Sequence, residues 1–342
     1  MFLEFYGLRE QPFGVTPDPR FLYLSPDHRE ALASLYYGIE SGRGFMALIA
    51  KPGMGKTTLL FHLLDKFRLS ARTAFIFQTQ CNSREFMRLL LAELGVNHDH
   101  DFVRTHEEFN KLLLQEARAH RRFIVVIDEA QNLDASVMET VRLLSDFETP
   151  RAKLLQIILS GQPELADKLA SQQLVQFRQR VSLLGRLTPL SSEETRKYIE
   201  YRFRVGGHSG PLPFSEDALL AIAQSTEGIP RNINNLCFNV LSLGCAMGQP
   251  VIDTRLVEEV VKDLDIYQHV TEVPTLTAPG QKSVLENTGR DLPVDTPYVA
   301  GSAADHTLTP AEAKAYMQQL AMRLRNGRET TTSAKSQGVR LA

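Results

Sequence analysis

A glycine-rich turn with a lysine and two threonines spans residues 50–58 and reads A-K-P-G-M-G-K-T-T. It matches the phosphate-binding pattern G-x-x-x-x-G-K-[ST], except that Ala50 stands where the first glycine is usual. Glycines let the backbone wrap around an anion, and a following helix presents its positive end to phosphates. We expect Lys56 to reach the β- and γ-phosphates and the Thr57 hydroxyl to ligate Mg²⁺. The predicted nucleotide-binding residues are Pro52, Gly53, Met54, Gly55, Lys56, Thr57 and Thr58.

Two carboxylates, Asp128 and Glu129, directly follow the apolar run 123–127. An acidic group at the end of a buried strand needs a partner, and a nucleotide-bound Mg²⁺ would supply one for Asp128. Glu129 would then polarise the attacking water as a general base. The alternative is that Asp128 caps the next helix. A further predicted strand, 73–77, lies between the two motifs in sequence, like the inserted strand of nucleotide hydrolases that use a catalytic glutamate.

Polar residues also follow the fourth apolar run of the chain. Ser160 and Gln162 are both candidates for the side chain that holds the attacking water beside Glu129. Gln162 is the one we assign to the catalytic set. An ordinary turn is the alternative interpretation of this segment.

Three arginines could complete such a site. Arg178 and Arg180 end a helical pattern just before the run 181–187. They indicate an arginine finger that enters a neighbouring subunit's site, with Arg180 the first choice and Arg178 the second. The alternative is a basic residue stabilising a helix C-terminus. Arg231 opens a predicted helix, where its charge opposes the helix dipole, and this favours a contact with the γ-phosphate across a domain cleft over the alternative of a solvated first-turn arginine.

Alternating strands and helices are predicted to position these groups. Continuously apolar runs such as 123–127 are typical of strands covered on both faces. The alternation indicates an α/β fold with a doubly wound parallel sheet and right-handed crossovers. The predicted strands are 45–50, 73–77, 123–127, 154–159 and 181–187. The predicted helices of this part are 26–40, 57–67, 83–94 and 107–119.

After Pro189 the strand patterns stop, and a capping box of Ser191 and Glu194 opens the first of four predicted helices. These helices indicate a small all-α domain. From about Gln268 the composition shifts to Thr, Pro, Ala, Ser and Gly, which is typical of a flexible tail. We therefore divide the chain into a nucleotide-binding core of residues 1–188, a helical domain of 189–265 and a mostly disordered tail of 266–342 with one short helix at 310–326.

The composition narrows the class of protein. With 38 Lys and Arg against 40 Asp and Glu among 342 residues, the formal charge is −2. A net charge so close to zero excludes nucleic-acid binding driven by a high overall positive charge, but it does not exclude a local basic patch. No uncharged apolar run approaches the ~18–20 residues of a membrane span, and we find no secretory signal. The three cysteines form no CxxC pair, so a reducing cytoplasm fits best.

Taken together, these residues resemble an AAA+ ATPase, and more closely the ExeA/GspA-type ATPases of general secretion and related cell-envelope systems. Besides the phosphate loop and the D-E-A-Q at 128–131, the likeness is carried by further short motifs. These are F-Y-G-L at 5–8, P-F at 12–13, T-P-D-P at 16–19, G-Q-P-E-L at 161–165 and G-I-P-R at 228–231. The likeness covers residues 1–265. The nucleotide motifs are specific for ATPase chemistry and less so for secretion, because transposition and replication ATPases share them.

The resemblance implies a P-loop ATPase core, a helical lid and ATP bound between them, with residues 13–23 near the adenine. Simple aromatic packing is the alternative for that segment. We expect a homo-oligomeric, Mg²⁺-dependent ATPase, cytoplasmic or peripheral at the inner membrane. It would act on protein partners in a secretion, cell-envelope or polysaccharide-export system. The alternatives are a DNA-associated ATPase of the transposition-targeting or replication-regulator type, and a nucleotide-gated binding module with negligible hydrolysis.

Overall fold

The computed structural model describes residues 2–14, 16–77, 79–96, 102–149 and 152–271. A parallel sheet of five strands lies at the centre of the described residues, which confirms the predicted α/β class. In chain order the strands are β1 (Phe45–Ala50), β2 (Ala71–Ile76), β3 (Arg122–Ile127), β4 (Leu155–Gly161) and β5 (Val181–Leu187). The order in the sheet is β2-β3-β4-β1-β5, with every neighbouring pair parallel. The carboxyl ends of β1, β3 and β4 therefore meet at one edge.

The predicted strand 73–77 is present as β2 and lies between the two nucleotide motifs in sequence, as predicted. In the sheet it occupies an edge beside β3, and the strand between β1 and β3 is β4. Sequence order is not sheet order, because a crossover connection in a parallel sheet can pass over a position. In the structure, β4 pairs with β1 on one side and with β3 on the other.

Helices cover both faces of the sheet. On β3, Phe123, Val125 and Ile127 face one apolar cluster, whereas Ile124 and Val126 face another. This alternation is what a strand buried on both sides requires. The helices of the core are α1 (Pro26–Glu40), α2 (Lys56–Lys66), α3 (Ser83–Glu93), α4 (Phe102–Arg118), α5 (Ala135–Leu144) and α6 (Pro163–Ala170). The short elements are helical turns at Phe2–Phe5, Pro19–Phe21, Ala130–Asn132, Gln172–Leu174 and Val175–Arg178, and a hairpin of Glu148–Thr149 with Ala152–Lys153.

Four helices follow β5 and pack around their own apolar cluster. They are α7 (Ser192–Val205), α8 (Glu216–Ser225), α9 (Pro230–Ala246) and α10 (Thr254–Thr271). The predicted capping box is present, since Ser191 and Glu194 exchange hydrogen bonds at the start of α7. The last helix continues to Thr271, past the predicted domain end at 265. The predicted tail helix at 310–326 lies outside the described residues.

The first residues of the chain pack on the helical domain. Phe2, Tyr6, Leu8 and Phe13 belong to its apolar cluster, and the Tyr6 hydroxyl donates to the carbonyl of Gln249 at 2.9 Å. Our sequence-based division placed this segment with the core. The structure differs because these aromatic side chains complete the apolar core of the four helices. The chain then crosses to the core at α1, so the N-terminal segment bridges the two parts.

Candidate nucleotide site

The predicted phosphate loop lies between the end of β1 and the start of α2. Gly53 and Gly55 have φ angles of +79° and +83°, a left-handed conformation that glycine adopts without steric cost. Ala50, the last residue of β1, is buried, so a small residue serves where the motif usually has glycine. Because Gly55 is the N-cap of α2, the loop and the positive end of a helix face the same point, as an anion site requires.

Lys56 is the first residue of α2 and is only 5 % exposed. Its ammonium donates to the carbonyls of Ala50 at 3.1 Å and Lys51 at 3.4 Å. Burial lowers the pKa of Lys56, while the nearby carboxylates of Glu129 and Asp128 oppose that shift. A buried lysine with carbonyl partners is a cation held ready for a stronger anionic ligand.

Asp128 lies at the end of β3 and is 3 % exposed. One carboxylate oxygen accepts a hydrogen bond from the Thr57 hydroxyl at 2.7 Å, and the other accepts one from Ser160 at 2.7 Å. Burial raises the pKa of Asp128, and the hydrogen bonds from Thr57 and Ser160 act against that rise. Residues from α2, β3 and β4 thus meet at this carboxylate.

The Thr57–Asp128 pair fits a magnesium ion by the chemistry of its donors. Mg²⁺ prefers oxygen ligands, and proteins usually hold it with one or two oxygen groups, the remaining positions being filled by phosphate and water. A hydroxyl and a buried carboxylate 2.7 Å apart, beside the phosphate loop, are such a set. When bound, Mg²⁺ would neutralise charge on the phosphates.

Glu129 has a left-handed backbone, with φ +52°, which is strained for a residue with a side chain. The Thr79 hydroxyl donates to its carbonyl at 3.1 Å. One oxygen of its carboxylate accepts from the amides of Gln131 at 2.6 Å and Gln162 at 3.1 Å. Burial would raise the pKa of Glu129, but those two amides and the charges of Lys56 and Arg231 outweigh it, and the pKa is lowered. Glu129 is therefore ionised at neutral pH.

The two candidates for the water-holding side chain have different partners. Ser160 is fully buried on Asp128, whereas Gln162 contacts Glu129. Sequence reasoning gave Gln131 no role, although its side-chain oxygen also accepts the backbone N–H of Gln162 at 3.1 Å. Its position two residues after Glu129 was the available signal. The Gln131 side chain thus connects β3 to β4 behind the carboxylate.

Arg231 lies in the first turn of α9, directly against the phosphate loop. Its backbone N–H donates to the Gly53 carbonyl at 3.1 Å, and a Cβ at Gly53 would lie 2.8 Å from the Cβ of Arg231. Its charge contributes to the shifted pKa values of Lys56 and Glu129. The helical domain therefore contacts the phosphate loop at Arg231, and the contact of its side chain with the γ-phosphate stays a prediction.

A cavity of about 300 Å³ opens between the core and the helical domain. Its walls are the phosphate loop, Glu129, Gln162, Arg231 and several residues of the segment 14–23. Phe21 and Tyr23 line the cavity, whereas Phe13 is 2 % exposed in the helical domain's apolar cluster. The first aromatic residue of the segment 13–23 thus packs in an apolar core, as the alternative interpretation predicted, whereas later ones line the cavity. A position near the adenine stays a prediction.

A cluster of Tyr198, Arg202 and Asn234 from the helical domain also lines the cavity, next to Phe21 and Tyr23. Sequence reasoning assigned this cluster no role. Arg202 is 8 % exposed, and its guanidinium lies 5.0 Å from the ring centre of Phe21 and 5.4 Å from that of Tyr198. The Tyr198 hydroxyl donates to the Asn234 side chain at 2.8 Å. The spacing of Tyr198 and Arg202, four residues apart on one helix face, was the only signal.

Arg178 and Arg180 lie at the other end of the sheet. Val181, at the start of β5, pairs with Phe45 at the start of β1, and a six-residue strand is roughly 20 Å long. Arg180 pairs with Asp146 and donates to Ser145 at 2.6 Å, and Arg178 donates to the Ala170 carbonyl at 3.2 Å. Neither can reach the phosphate loop of its own chain, so a role in a neighbouring subunit stays a prediction.

Comparison with known proteins identifies the family. Residues 39–169 match the family model of an AAA domain. The chain is an AAA+ protein. Over 256 aligned residues it is 36% identical to general secretion pathway protein A of Aeromonas hydrophila. The aligned region covers 72% of this chain and 46% of that relative. This AAA+ chain thus resembles that family while spanning about half the length of the curated relative.

Solved structures share the fold of the AAA+ chain. The Drosophila origin recognition complex bound to DNA matches with a TM-score of 0.59 at 15% identity, covering 80% of this chain and 69% of that one. The ORC2 protein of Aeropyrum pernix matches with a TM-score of 0.55 at 15% identity, covering 74% of this chain and 71% of that one. In the described part of the AAA+ chain, every helix is too short or too polar to span a bilayer.

Proposed function

We propose that this protein binds Mg·ATP and hydrolyses it. One observation carries the proposal: Lys56, the Thr57–Asp128 pair and the Glu129 carboxylate converge at the carboxyl edge of three neighbouring strands. Positively charged and N–H groups line one side of this point, and an ionised carboxylate lies on the other. Phosphoryl transfer to water needs this combination of charge stabilisation and a positioned base.

Each residue has a part in the proposed reaction. The loop 52–58 and Lys56 bind the phosphates, and Thr57 with Asp128 holds the metal. Glu129 takes the proton of the attacking water, which Gln162 holds in place. Arg231 from the lid, and Arg180 from a neighbouring subunit, would stabilise charge that develops on the γ-phosphate.

We also propose that hydrolysis changes the angle between core and lid, and that this motion acts on protein partners of a secretion, cell-envelope or polysaccharide-export system. The support is the 36% identity to general secretion pathway protein A, together with the lid contact at Gly53. The proposal places the protein in the cytoplasm or at the inner face of the membrane, as a homo-oligomer.

The substitution Glu129→Gln tests the catalytic assignment. It removes the base and keeps the size of the side chain, so we expect phosphate release to fall about 100- to 10,000-fold. Mg·ATP affinity, measured by titration calorimetry, should stay within about threefold of wild type, because the phosphate contacts remain. Glu258→Gln is the matched control, since Glu258 is an exposed acid on α10, away from the cavity, and should retain turnover.

Unchanged turnover in the Glu129→Gln variant would rule out Glu129 as the base. Negligible phosphate release by wild-type protein that still binds Mg·ATP would instead favour a nucleotide-gated binding module.

A DNA-associated ATPase is the second candidate. It is favoured by a 28% identity over 147 residues to an uncharacterized HTH-type transcriptional regulator of Methanocaldococcus jannaschii. The basic residues of α7 do not add to it, because Arg196, Lys197 and Arg204 each pair with a glutamate and Arg202 is buried. ATP-dependent retention of DNA on a filter, falling steeply with salt, would support this candidate over the first.

A further inference from the structure

His28 lies outside every nucleotide motif, yet its side chain contacts the phosphate loop. It is the third residue of α1 and is 3 % exposed. Its ring nitrogen Nε2 lies 3.1 Å from the carbonyl oxygen of Met54, and Nδ1 lies 2.7 Å from the hydroxyl of Ser25. Both ring nitrogens are therefore engaged, one of them with the centre of the loop.

The partners fix where the proton of the imidazole lies. A carbonyl oxygen can only accept, so Nε2 carries a hydrogen that it donates to Met54. Ser25 can donate its single hydroxyl hydrogen to Nδ1, while its oxygen accepts the backbone N–H of His28 at 3.3 Å as the N-cap of α1. Burial lowers the pKa of His28, which favours this neutral form.

The Met54 carbonyl belongs to the same peptide unit as the N–H of Gly55. In a trans peptide the C=O and N–H bonds point in opposite directions, and the structure contains no cis peptide among its described residues. A donor that holds the Met54 oxygen towards α1 therefore turns the Gly55 N–H towards the cavity. The Met54 side chain is buried on one side of this peptide unit, but Gly55 on the other side has no side chain and a left-handed φ of +83°, so the bond from His28 helps to hold the orientation of the peptide.

We infer that His28 is a positioning residue for nucleotide binding, which sets the orientation of the Met54–Gly55 peptide so that the Gly55 N–H faces the phosphates. This inference rests on the proposed binding of Mg·ATP. Without the donor, the buried Met54 carbonyl loses its partner, and rotation of the peptide to find another turns the Gly55 N–H away from the anion. Ser25 contributes by holding the imidazole in the donating tautomer.

Three substitutions at position 28 separate the donor from the bulk of the side chain. Glutamine carries an amide N–H group at about the reach of Nε2, asparagine carries the same amide one bond shorter, and leucine carries none. We expect His28→Gln to bind Mg·ATP within about threefold of wild type. His28→Asn and His28→Leu should bind about tenfold more weakly, which is the loss expected for one unsatisfied buried carbonyl. Titration calorimetry on the full chain measures this.

Two further readouts distinguish positioning from a general structural role. Steady-state kinetics should show KM rising with kcat unchanged, because the Gly55 N–H would contact phosphate equally before and during the reaction. Hydrogen exchange of the nucleotide-free protein should rise in the peptide 52–58 for the asparagine and leucine variants. The glutamine variant should exchange like wild type.

The outcomes separate this inference from the proposed function. Failure of the wild-type protein to bind Mg·ATP would contradict the proposed function itself. Wild-type protein that binds, with asparagine and leucine variants that bind equally well, would overturn the role of His28. An equal loss in the glutamine and asparagine variants would also overturn it, since the position of the donor would then not matter. If the leucine variant does not fold, the glutamine–asparagine comparison decides alone.

Discussion

At the scale of single residues, the environment of Glu129 sets its chemistry. The left-handed backbone and the bond from Thr79 fix where the carboxylate emerges. The amides of Gln131 and Gln162 both donate to the same oxygen, which leaves the other oxygen to meet a water. Because both donors stabilise the charged form, they keep the carboxylate ionised against the effect of burial.

Gln131→Leu tests this effect of the amides. Hydrogen bonds to the charged form lower a pKa, so removing one should raise the pKa of Glu129 and move the acid limb of the kcat profile to higher pH. Wild-type turnover should persist below the usual pKa of a glutamic acid, because the pKa of Glu129 is lowered. Steady-state phosphate release across a pH series measures the acid limb of the wild type and of the Gln131→Leu variant.

Gln173→Leu is the control for that profile, because Gln173 is an exposed glutamine in the turn after α6. Its acid limb should coincide with that of wild type. An acid limb that does not move in Gln131→Leu would show that the amide does not set the charge of Glu129.

The residues of the site that sequence reasoning identified belong to local patterns. Lys56 and Thr57 occupy fixed positions in the loop motif, and Asp128 with Glu129 follows a recognisable buried strand. His28 and Gln131 were missed because their roles depend on contacts made only in the folded chain, 26 residues apart for His28 and Met54. His28 stands in no motif that we identified, and Gln131 stands in D-E-A-Q at 128–131 without the motif stating what its side chain contacts.

At the scale of elements, the connection from β5 to the helical domain is held at two points. The backbone N–H of Thr188 donates to the carboxylate of Asp27 at 3.1 Å, and its hydroxyl contacts the same oxygen. Two residues later, Leu190 donates its N–H to the carbonyl of Gly228 at 2.9 Å. The connection is thus tied to α1 on the core side and to the start of α9 on the lid side.

Gly228→Ala should destabilise the lid. Gly228 has a φ of +67°, and a Cβ there would lie 2.0 Å from the Leu190 carbonyl oxygen, so the backbone of the connection must move. Gly248→Ala is a matched control, with a φ of +68° and no atom within 4 Å of the new Cβ. We expect the free energy of unfolding to fall by about 2 kcal/mol more for Gly228→Ala than for Gly248→Ala, measured by urea denaturation.

Equal losses in the two alanine variants would mean that only left-handed strain matters at position 228. The tight contact with Leu190 would then have no energetic role in holding the connection.

The elements themselves were largely predictable, and their arrangement was not. β1 and β5 have the predicted bounds, because apolar runs flanked by turn residues are local signals. The place of β4 between β1 and β3 was missed, since nothing in the sequence states which strands are neighbours. The end of α10 was also missed, because no glycine or proline stands at the predicted end near residue 264.

At the scale of the whole molecule, the core and the helical domain both line the cavity. Arg180, our proposed arginine finger, is not among the lining residues. Arg180 lies at the amino end of the sheet, held by Asp146 and Ser145. An arginine at that end of one subunit can serve only another subunit's phosphates. Under our proposal that Arg180 completes the site, full turnover requires assembly of at least two chains.

Mixing two inactive variants tests the contribution of a neighbouring subunit. Arg180→Ala should lose about 1,000-fold in turnover, and Glu129→Gln lacks the base. Mixed oligomers should regain activity, because an intact site of the first chain receives the arginine of the second. Phosphate release at constant total protein measures this recovery.

Asp146→Ala is the control for the mixing experiment, since it breaks the same ion pair and keeps the guanidinium, so it should retain turnover. A mixture no more active than its separate components would argue against a shared site. The same experiment with Arg178→Ala decides between the two arginines.

The bond between the Arg231 N–H and the Gly53 carbonyl has a mechanical consequence. A neutral backbone hydrogen bond that can be exchanged for bonds to water contributes only about 0.5–1.5 kcal/mol. A bond of that strength breaks and re-forms through thermal motion while the core and the helical domain both stay folded. This one bond therefore changes the ratio of docked to undocked molecules by about tenfold or less. A ligand that contacts both sides of this bond would shift that balance, as the proposed change of angle between core and lid requires.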